Sequence, residues 1–401
     1  MRKRLQSVLI NRDVALLATC QALLVTGNVL LVSVTSLIGN RLTTEPILAT
    51  LPVAMQFGGM MLATLPVSLL MKRIGRRRGF ILGNLIGIVG AAICLSGLQL
   101  SSLLLFCIGT GLIGACIGIS QLYRFAAVDA SNDASRHRAI GLVMTGGIVA
   151  ALVGPNLAVW TREWLPQTLY GGSFIGLIGL YLLTLLALSR IRIPPPSAEE
   201  IHGQQRPLSE ILRQPVFRVA VFGAMVAYAV MALIMTATPL AMSGCGFGFP
   251  STAGVIQWHV LGMFAPSFLT GHLISRYGII PIMLTGTVLM IVSVLINLAG
   301  VSEGHFTIAL LLLGVGWNFL YIGSTSLVTQ SYRLAEKAKV QGINDMLVSL
   351  AVMLSAFFAG VLHNLFGWQS VNLAMLPLLL LVVAVIVVFH RQRVNALAMS
   401  C

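Results

Sequence analysis

Long apolar stretches recur along the whole chain, and short polar segments that carry most of the charges separate them. An α-helix needs roughly 20 predominantly apolar residues to cross the hydrocarbon core of a bilayer, and the stretches have about that length. The pattern therefore predicts twelve transmembrane helices. They lie at roughly 14–39, 46–71, 79–98, 102–127, 139–161, 167–189, 216–241, 251–275, 279–300, 306–331, 341–365 and 368–390.

Composition agrees with this pattern. Apolar residues make up 57% of the 401 residues and charged residues only 9%, whereas soluble domains carry about 25% charged residues. Lipid is therefore the solvent for most of the chain, and we predict an all-α membrane protein. The sequence contains no nucleophile motif, metal cluster or phosphate-binding loop, and its six scattered cysteines form no CxxC pair. We thus expect no enzyme, no cofactor and no metal.

The net charge of +14 follows membrane orientation rather than nucleic-acid binding. If the N-terminus is cytoplasmic, 23 of the 25 Lys and Arg residues fall on the inner side, and only Arg41 and Arg162 fall outside. Such an asymmetry is typical of correctly assigned membrane helices. It predicts that both termini are cytoplasmic and that nucleic acid is no partner.

A polar segment with three consecutive prolines divides the chain in the middle. Its composition is typical of an extended linker, and residues 207–213 within it could form a short amphipathic helix on the inner surface. We predict an N-terminal six-helix bundle at 1–190, a cytoplasmic linker at 191–215 and a C-terminal six-helix bundle at 216–401.

The two predicted bundles share an internal repeat. The segment 68–75 recurs at 271–278, and the segment 121–124 recurs at 330–333, in both cases at inner helix ends. Duplicated six-helix halves are an architecture of secondary transporters, which bind substrate near the midplane between the halves. The repeat therefore predicts two pseudo-symmetric bundles.

The segment that joins the second and third predicted helices resembles the signature G-x-x-x-D-R-x-G-R-R of the major facilitator superfamily. The matching positions are Arg73, Gly75, Arg76 and Arg77. Ser68 and Lys72 depart from the signature, and the second departure removes the acid that the family uses to latch its cytoplasmic gate. The resemblance covers the whole chain and implies a twelve-helix transporter in which these four residues form a gate loop.

Other segments indicate which branch of the superfamily the chain resembles. Gly154 and Pro155 match only part of a fifth-helix signature that the family links to antiport, and Cys107 replaces an expected arginine. The runs 235–242 and 258–266 resemble a bacterial branch in which riboflavin importers are expected. The resemblance implies location in a bacterial cytoplasmic (inner) membrane.

In the family, predicted helices 1, 4, 7 and 10 line the central cavity, so polar and aromatic residues midway along them are the best substrate-binding candidates. Trp317 and Tyr321 are four residues apart and share one helix face. Rings and amides together suit a planar ring ligand; ordinary helix packing is the alternative. The substrate-binding candidates on these helices are Asn28, Tyr228, Trp317, Asn318 and Tyr321. Trp258 is a further candidate, because it lies in a run of three polar or aromatic residues deep in the eighth helix, of which at least one should face the cavity.

Three ionisable residues are candidates for coupling transport to protons. His259 lies deep in the eighth predicted helix and has an ordinary pKa in the physiological range; a neutral, hydrogen-bonded histidine is the alternative. Asp345 lies near the start of the eleventh helix, where it could instead favour the helix dipole. Arg124 lies at the inner end of the fourth, where it could be an ordinary basic residue.

We therefore predict a secondary transporter that moves a small organic solute by alternating access, with riboflavin or a similar planar metabolite as an imported substrate. The main alternative is a drug or metabolite exporter that works as a proton antiporter. A receptor without transport and a channel are further alternatives. We expect a monomer in a lipid bilayer, with a small-molecule substrate as partner. Protons are a further partner if transport is coupled through His259 or Asp345, and a uniporter is the alternative.

Overall fold

The computed structural model describes residues 12–123, 126, 136–193 and 205–398. The described residues are almost entirely helical, which confirms the predicted all-α class. The helices are α1 (Arg12–Leu42), α2 (Leu51–Ile74), α3 (Arg76–Gln99), α4 (Leu103–Ser120), α5 (Arg136–Thr161), α6 (Gly171–Ser189), α7 (Leu208–Arg213), α8 (Pro215–Gly244), α9 (Phe249–Phe264), α10 (Ser267–Tyr277), α11 (Ile279–Ala299), α12 (Glu303–Val328), α13 (Lys337–Leu373) and α14 (Leu376–Ala398).

Within these residues, nine helices are long and apolar enough to cross a membrane. Three interruptions account for the difference from the predicted twelve. Gly367 has a φ of 79° and divides the apolar run Lys339–Arg393 into two helices. Pro266 separates α9 from α10, and the apolar part of α5 covers only Gly146–Thr161. Eight single spans, the two helices on either side of Gly367, the α9–α10 pair and α5 are thus compatible with the predicted arrangement.

Buried side chains form two main clusters that follow the division of the chain. One cluster draws nearly all its members from between Val14 and Ile191, and the other from between Ile211 and Phe389. Burying the inward faces of helices in this way produces two bundles, as the sequence predicted. The residue boundaries of the two halves stay a prediction.

The internal repeat reappears as matched backbone geometry. Gly75 has φ 84° and ψ 153°, and Gly278 has φ 89° and ψ 165°. The N–H of Gly75 donates to the Met71 carbonyl over 2.9 Å, and the N–H of Gly278 donates to the Ile274 carbonyl over 2.8 Å. Glycine adopts these positive φ values without steric strain. Each glycine therefore ends one helix and lets the next begin at once.

The described end of the linker is bound to the C-terminal half. The predicted short helix is present as α7, and its Ile211 is fully buried. Glu336 is also buried and accepts hydrogen bonds from the Arg206 backbone N–H, Nε and Nη2 at 2.9, 2.8 and 2.7 Å. Because Glu336 belongs to the connection between α12 and α13, this ion pair anchors the linker beside that connection.

Candidate substrate site

Three aromatic side chains from α8 and α12 meet between the helices. The Tyr228 ring lies edge-on to Trp317 and Tyr321, with centroids 5.0 and 4.7 Å away. The Trp317 and Tyr321 rings are stacked, with centroids 5.1 Å apart and planes 14° apart. The structure thus brings together three of the predicted substrate-binding residues. We call Tyr228, Trp317 and Tyr321 the aromatic triad.

Unpaired polar atoms accompany the triad. Trp317 is only 4% exposed, and its indole Nε1 has no hydrogen-bond partner in the described part of the chain. The hydroxyl of Ser324, seven residues further along α12, is likewise buried and unpaired there. Buried polar groups normally have partners, so both can serve a polar ligand group. Sequence reasoning missed Ser324, although its spacing from Trp317 places it on the same helix face.

Asn318 faces away from the triad and towards the break between α9 and α10. Its Nδ2 donates to the Met263 carbonyl over 2.6 Å and to the Ser267 hydroxyl over 2.7 Å. Its Oδ1 accepts from the Thr270 hydroxyl over 2.6 Å. Both amide hydrogens are therefore used. Asn318 binds the two segments that Pro266 separates, and a role in substrate binding stays a prediction.

In the N-terminal half, an amide pair joins α1 to α2. Gln56 Nε2 donates to Asn28 Oδ1 over 2.8 Å, and Gln56 is 2% exposed. Val25 and Val32, one turn before and after Asn28, pack against the buried cluster that draws nearly all its members from the C-terminal half. Because side chains three or four residues apart share a helix face, Asn28 lies on the face of α1 that meets the other half.

Trp258 and His259 point in different directions. Trp258 is 49% exposed and belongs to neither main buried cluster. His259 is fully buried, with Nδ1 2.8 Å from the Leu310 carbonyl of α12. Its Nε2 has no hydrogen-bond partner among the described residues. His259 thus ties α9 to α12 through Nδ1, while Nε2 is left without a partner among the described residues, and its coupling role stays a prediction.

Of the two remaining coupling candidates, the structure describes only Asp345. Asp345 is half-buried, and Asn344 Nδ2 donates to its Oδ1 over 3.1 Å. It lies more than one turn inside α13 rather than at the helix start. Arg124 lies outside the described residues.

The gate loop has a structural function that the sequence did not reveal. Arg77 Nε donates to the Leu188 carbonyl over 3.2 Å, and its Nη2 donates to the Ser189 carbonyl. These carbonyls belong to the last turn of α6, where cations are favourable. Arg77 thus caps α6, while Arg76 is half-buried at the start of α3. The side chain of Arg73 lies outside the described part.

The two halves meet through pairs of helices from opposite bundles: α2 packs on α13, α5 on α9, and α1 on α8. Between α5 and α9, Asn156 Nδ2 donates to Gln257 Oε1 over 3.3 Å. The triad and the Asn28–Gln56 pair are thus carried by helices that border the interface between the halves. A ligand held at that interface is positioned to respond to movement of either half.

A family model described as the Major Facilitator Superfamily matches residues 16–265 and 251–397. This chain belongs to the Major Facilitator Superfamily. The match extends through both helical bundles and agrees with the repeat geometry of Gly75 and Gly278. The protein is therefore a membrane-embedded secondary transporter that acts on a small solute.

Individual relatives agree with the family. Riboflavin transporter RfnT of Brucella anthropi is 43% identical over 375 residues, covering 92% of this chain and 94% of that protein. The uncharacterised MFS-type transporter YddS of Bacillus subtilis is 28% identical, covering 88% of this chain and 86% of that protein. Among solved structures, the partially occluded inward-open xylose transporter XylE from E. coli has a TM-score of 0.70 at 14% identity, covering 92% of this chain and 96% of that one.

Proposed function

We propose that this protein imports riboflavin, or a metabolite with a similar planar ring, by alternating access. The observation that carries the proposal is the aromatic triad on α8 and α12. Stacked and edge-on rings bind a planar aromatic ligand through dispersion and quadrupole contacts. The name of the 43% identical relative, a riboflavin transporter, supports the same substrate.

Polar side chains at the interface between the two halves can form hydrogen bonds with the edge of such a ring. The isoalloxazine ring of riboflavin carries carbonyl oxygens and an imide N–H on one side. Trp317 Nε1 and the amide of Asn28 can donate to carbonyls, and the unpaired Oε1 of Gln56 can accept from an N–H. Few side-chain charges lie within the apolar spans, which favours a ligand that is uncharged or weakly anionic.

For its location, we propose a bacterial cytoplasmic membrane with both termini in the cytoplasm, because of the placement of Lys and Arg. The connection between α8 and α9 then faces outwards, and it carries the exposed Cys245. A maleimide that cannot cross membranes should label Cys245 on intact cells. Labelling that requires broken cells would reverse the orientation.

Uptake of labelled riboflavin into cells that lack their own transporter tests the substrate. We expect saturable uptake when this protein is present. Trp317→Ala should raise the KM about fivefold, because losing one aromatic contact removes roughly 1 kcal/mol. Trp160→Ala is the matched control, since Trp160 is 66% exposed and outside the triad.

The outcomes separate the candidate functions. Saturable uptake with a raised KM for the triad variant alone supports the proposal. Absence of uptake, with the protein present in the membrane, would exclude riboflavin import. Resistance of the same cells to a toxic compound would then favour an exporter, the alternative that the sequence left open.

For energy coupling, we propose Asp345 and His259 as candidate proton carriers, since each is at least half-buried within a helix. Uptake should then rise when a pH gradient, acidic outside, is imposed across the membrane. Uptake that is the same with and without the gradient would exclude proton coupling. A monomer remains our expectation, and the mass of the purified protein in detergent tests it.

A further inference from the structure

A buried hydroxyl joins the two halves at one end of the molecule. Thr50 lies just before α2 and is fully buried. Its Oγ1 donates to the Phe357 carbonyl over 3.0 Å and accepts from the Gly360 N–H over 3.1 Å, both on α13. One side chain of the N-terminal half is therefore bonded twice to the backbone of the C-terminal half.

The fit between these residues is close. A Cβ added at Gly360 would lie 2.5 Å from Thr50 Oγ1. Four residues further along α13, Asn364 Nδ2 donates to the Pro46 carbonyl over 2.7 Å. We call the contacts of Thr50 and Asn364 with the opposite half the end latch. Hydrogen bonds from side chains of one half to backbone groups of the other define one relative position of the two halves, because each bond needs a short distance and a favourable angle.

The face of α2 below Thr50 continues towards the aromatic triad. Val53 and Ala54 are buried against Ala356 of α13, and Phe57 packs against the same group. Phe57 also packs against a second buried cluster, formed by residues of α8 and α13, on which Tyr228 and Tyr321 pack as well. Thr50 and Phe57 are seven residues apart, which is two helical turns or about 10.5 Å.

We propose that Thr50 is the positioning residue that holds this end of the transporter closed, and that Phe57 connects the end latch to the aromatic triad. Alternating access requires the halves to separate at this end during each cycle. The bonds of Thr50 to α13 must then break. Because Phe57 lies on the same rigid helix face, it leaves its cluster in the same movement, so the state of the latch and the surroundings of the triad change together.

Removing the hydroxyl should favour the open state. Thr50→Val keeps the branched shape but removes both hydrogen bonds. Because two hydrogen bonds of the closed state are lost, the ratio of closed to open molecules should fall about fivefold. Thr50→Ser keeps a hydroxyl and should behave like the unchanged protein.

Distances between two spin labels measure this ratio. Cysteines introduced at Gln167 and Val301, which are exposed and lie in different halves at this end, carry the labels. Cys245 and Cys401 are first replaced by serine; Cys20, Cys94, Cys107 and Cys116 are buried. Double electron–electron resonance on the purified full-length protein in nanodiscs then gives the distance distribution.

We expect a longer-distance population to grow in Thr50→Val and not in Thr50→Ser. Thr43→Val is the matched control, because Thr43 bonds only within its own connection, to Glu45, in the contacts that the structure describes. A Thr50→Val distribution equal to that of the unchanged protein would overturn the latch. Gly360→Ala, which crowds Thr50, should shift the distribution in the same direction and covers the case in which Thr50→Val is poorly produced.

A double-mutant cycle tests the connection to the triad. Phe57→Leu and Thr50→Val are measured alone and together in the same labelled background. If the two residues act in one movement, their effects on the population ratio will not add. Additive effects would leave the latch standing and overturn the role of Phe57. This readout needs no substrate, so it is independent of whether the transported molecule is riboflavin.

Discussion

Trp317 and Asn318 are neighbours in the sequence, yet the structure gives their side chains different surroundings. Successive helix residues differ in direction by about 100°, so Trp317 points into the triad while Asn318 points at the break between α9 and α10. The amide of Asn318 makes three hydrogen bonds there. Polar residues at mid-helix can therefore either face the candidate substrate site or bond to a neighbouring helix. Only the structure of the facing helix distinguishes these two functions.

Asn318→Ala should accordingly lower stability rather than substrate affinity. Hydrogen bonds between membrane helices contribute about 0.6 kcal/mol each, so losing three removes about 2 kcal/mol from the free energy of unfolding. We expect a lower unfolding temperature of the purified protein and an unchanged KM for the molecules that remain folded. Trp317→Ala, by contrast, should raise the KM. A raised KM in Asn318→Ala at wild-type stability would assign Asn318 to the substrate instead.

Glu336 should make stability depend on pH. The hydrogen bonds from Arg206 lower the pKa of this carboxyl well below its ordinary value of 4.5. A carboxylate with a lowered pKa in the folded state stabilises the fold fully above its ordinary pKa. That stabilisation is lost as the pH falls through the lowered value. The unfolding temperature should therefore fall as the pH drops below about 4.5.

The matched variants isolate the effect. Glu336→Gln should unfold several degrees lower than the unchanged protein near neutral pH and lose less on acidification. Glu210→Gln should change neither, because Glu210 is 56% exposed and lies 3.9 Å from the same arginine. Thermal unfolding at a series of pH values measures both variants. If Glu336→Gln and the unchanged protein lose stability equally on acidification, Glu336 is not the source of the pH dependence.

Helix packing within each half depends on glycines at contact points. A Cβ on Gly59 of α2 would lie 1.9 Å from the Gly111 carbonyl of α4, and a Cβ on Gly314 of α12 would lie 2.4 Å from the His259 carbonyl of α9. Small residues let membrane helices approach backbone to backbone. The same type of contact thus holds equivalent helix pairs in both halves.

Gly59→Ala should therefore separate α2 from α4. We expect at least several-fold less folded protein in the membrane, since one of the two backbones must move to admit the methyl group. Gly254→Ala in α9 is the matched control, because no atom lies within 4 Å of the added Cβ. Fluorescence-detected size-exclusion chromatography measures both. Equal yields of the two variants would show that the α2–α4 contact relaxes without loss.

The two bundles should assemble without a continuous chain. Contacts between α2 and α13 and between α5 and α9 hold the halves together non-covalently, and the described end of the linker is fixed to the C-terminal half by Arg206. Fragments 1–200 and 201–401, produced together, should therefore restore at least a detectable part of the uptake. A break between residues 210 and 211 gives fragments 1–210 and 211–401 and cuts α7, and we expect less activity from it.

The outcome distinguishes two functions of the linker. Recovery with the first break alone would show that the anchored segment around Arg206 matters more than the covalent connection. Failure of both breaks, with both fragments present in the membrane, would show that the connection itself is required for assembly.

Hydrophobic pattern and charge placement were sufficient to predict the fold class, because lipid requires each span to satisfy its own backbone hydrogen bonds as a helix. The repeat predicted two related halves, and Gly75 and Gly278 confirm it with nearly the same dihedral angles. Pairing Trp317 with Tyr321 was predictable as well, because both residues lie on one helix and their spacing alone places them on one face. The sequence by itself thus determined the class, the number of halves and the local pairs.

Contacts between helices distant in the sequence were decided only by the tertiary structure. The meeting of Tyr228 with Trp317, the bonds of Thr50 to α13, the capping of α6 by Arg77 and the use of Asn318 at the α9–α10 break all depend on which helix faces which. Periodicity gives the direction of a side chain from its own helix axis, but it carries no information about the neighbouring helix or its rotation. Packing of the two bundles supplies that information, and with it the candidate substrate site.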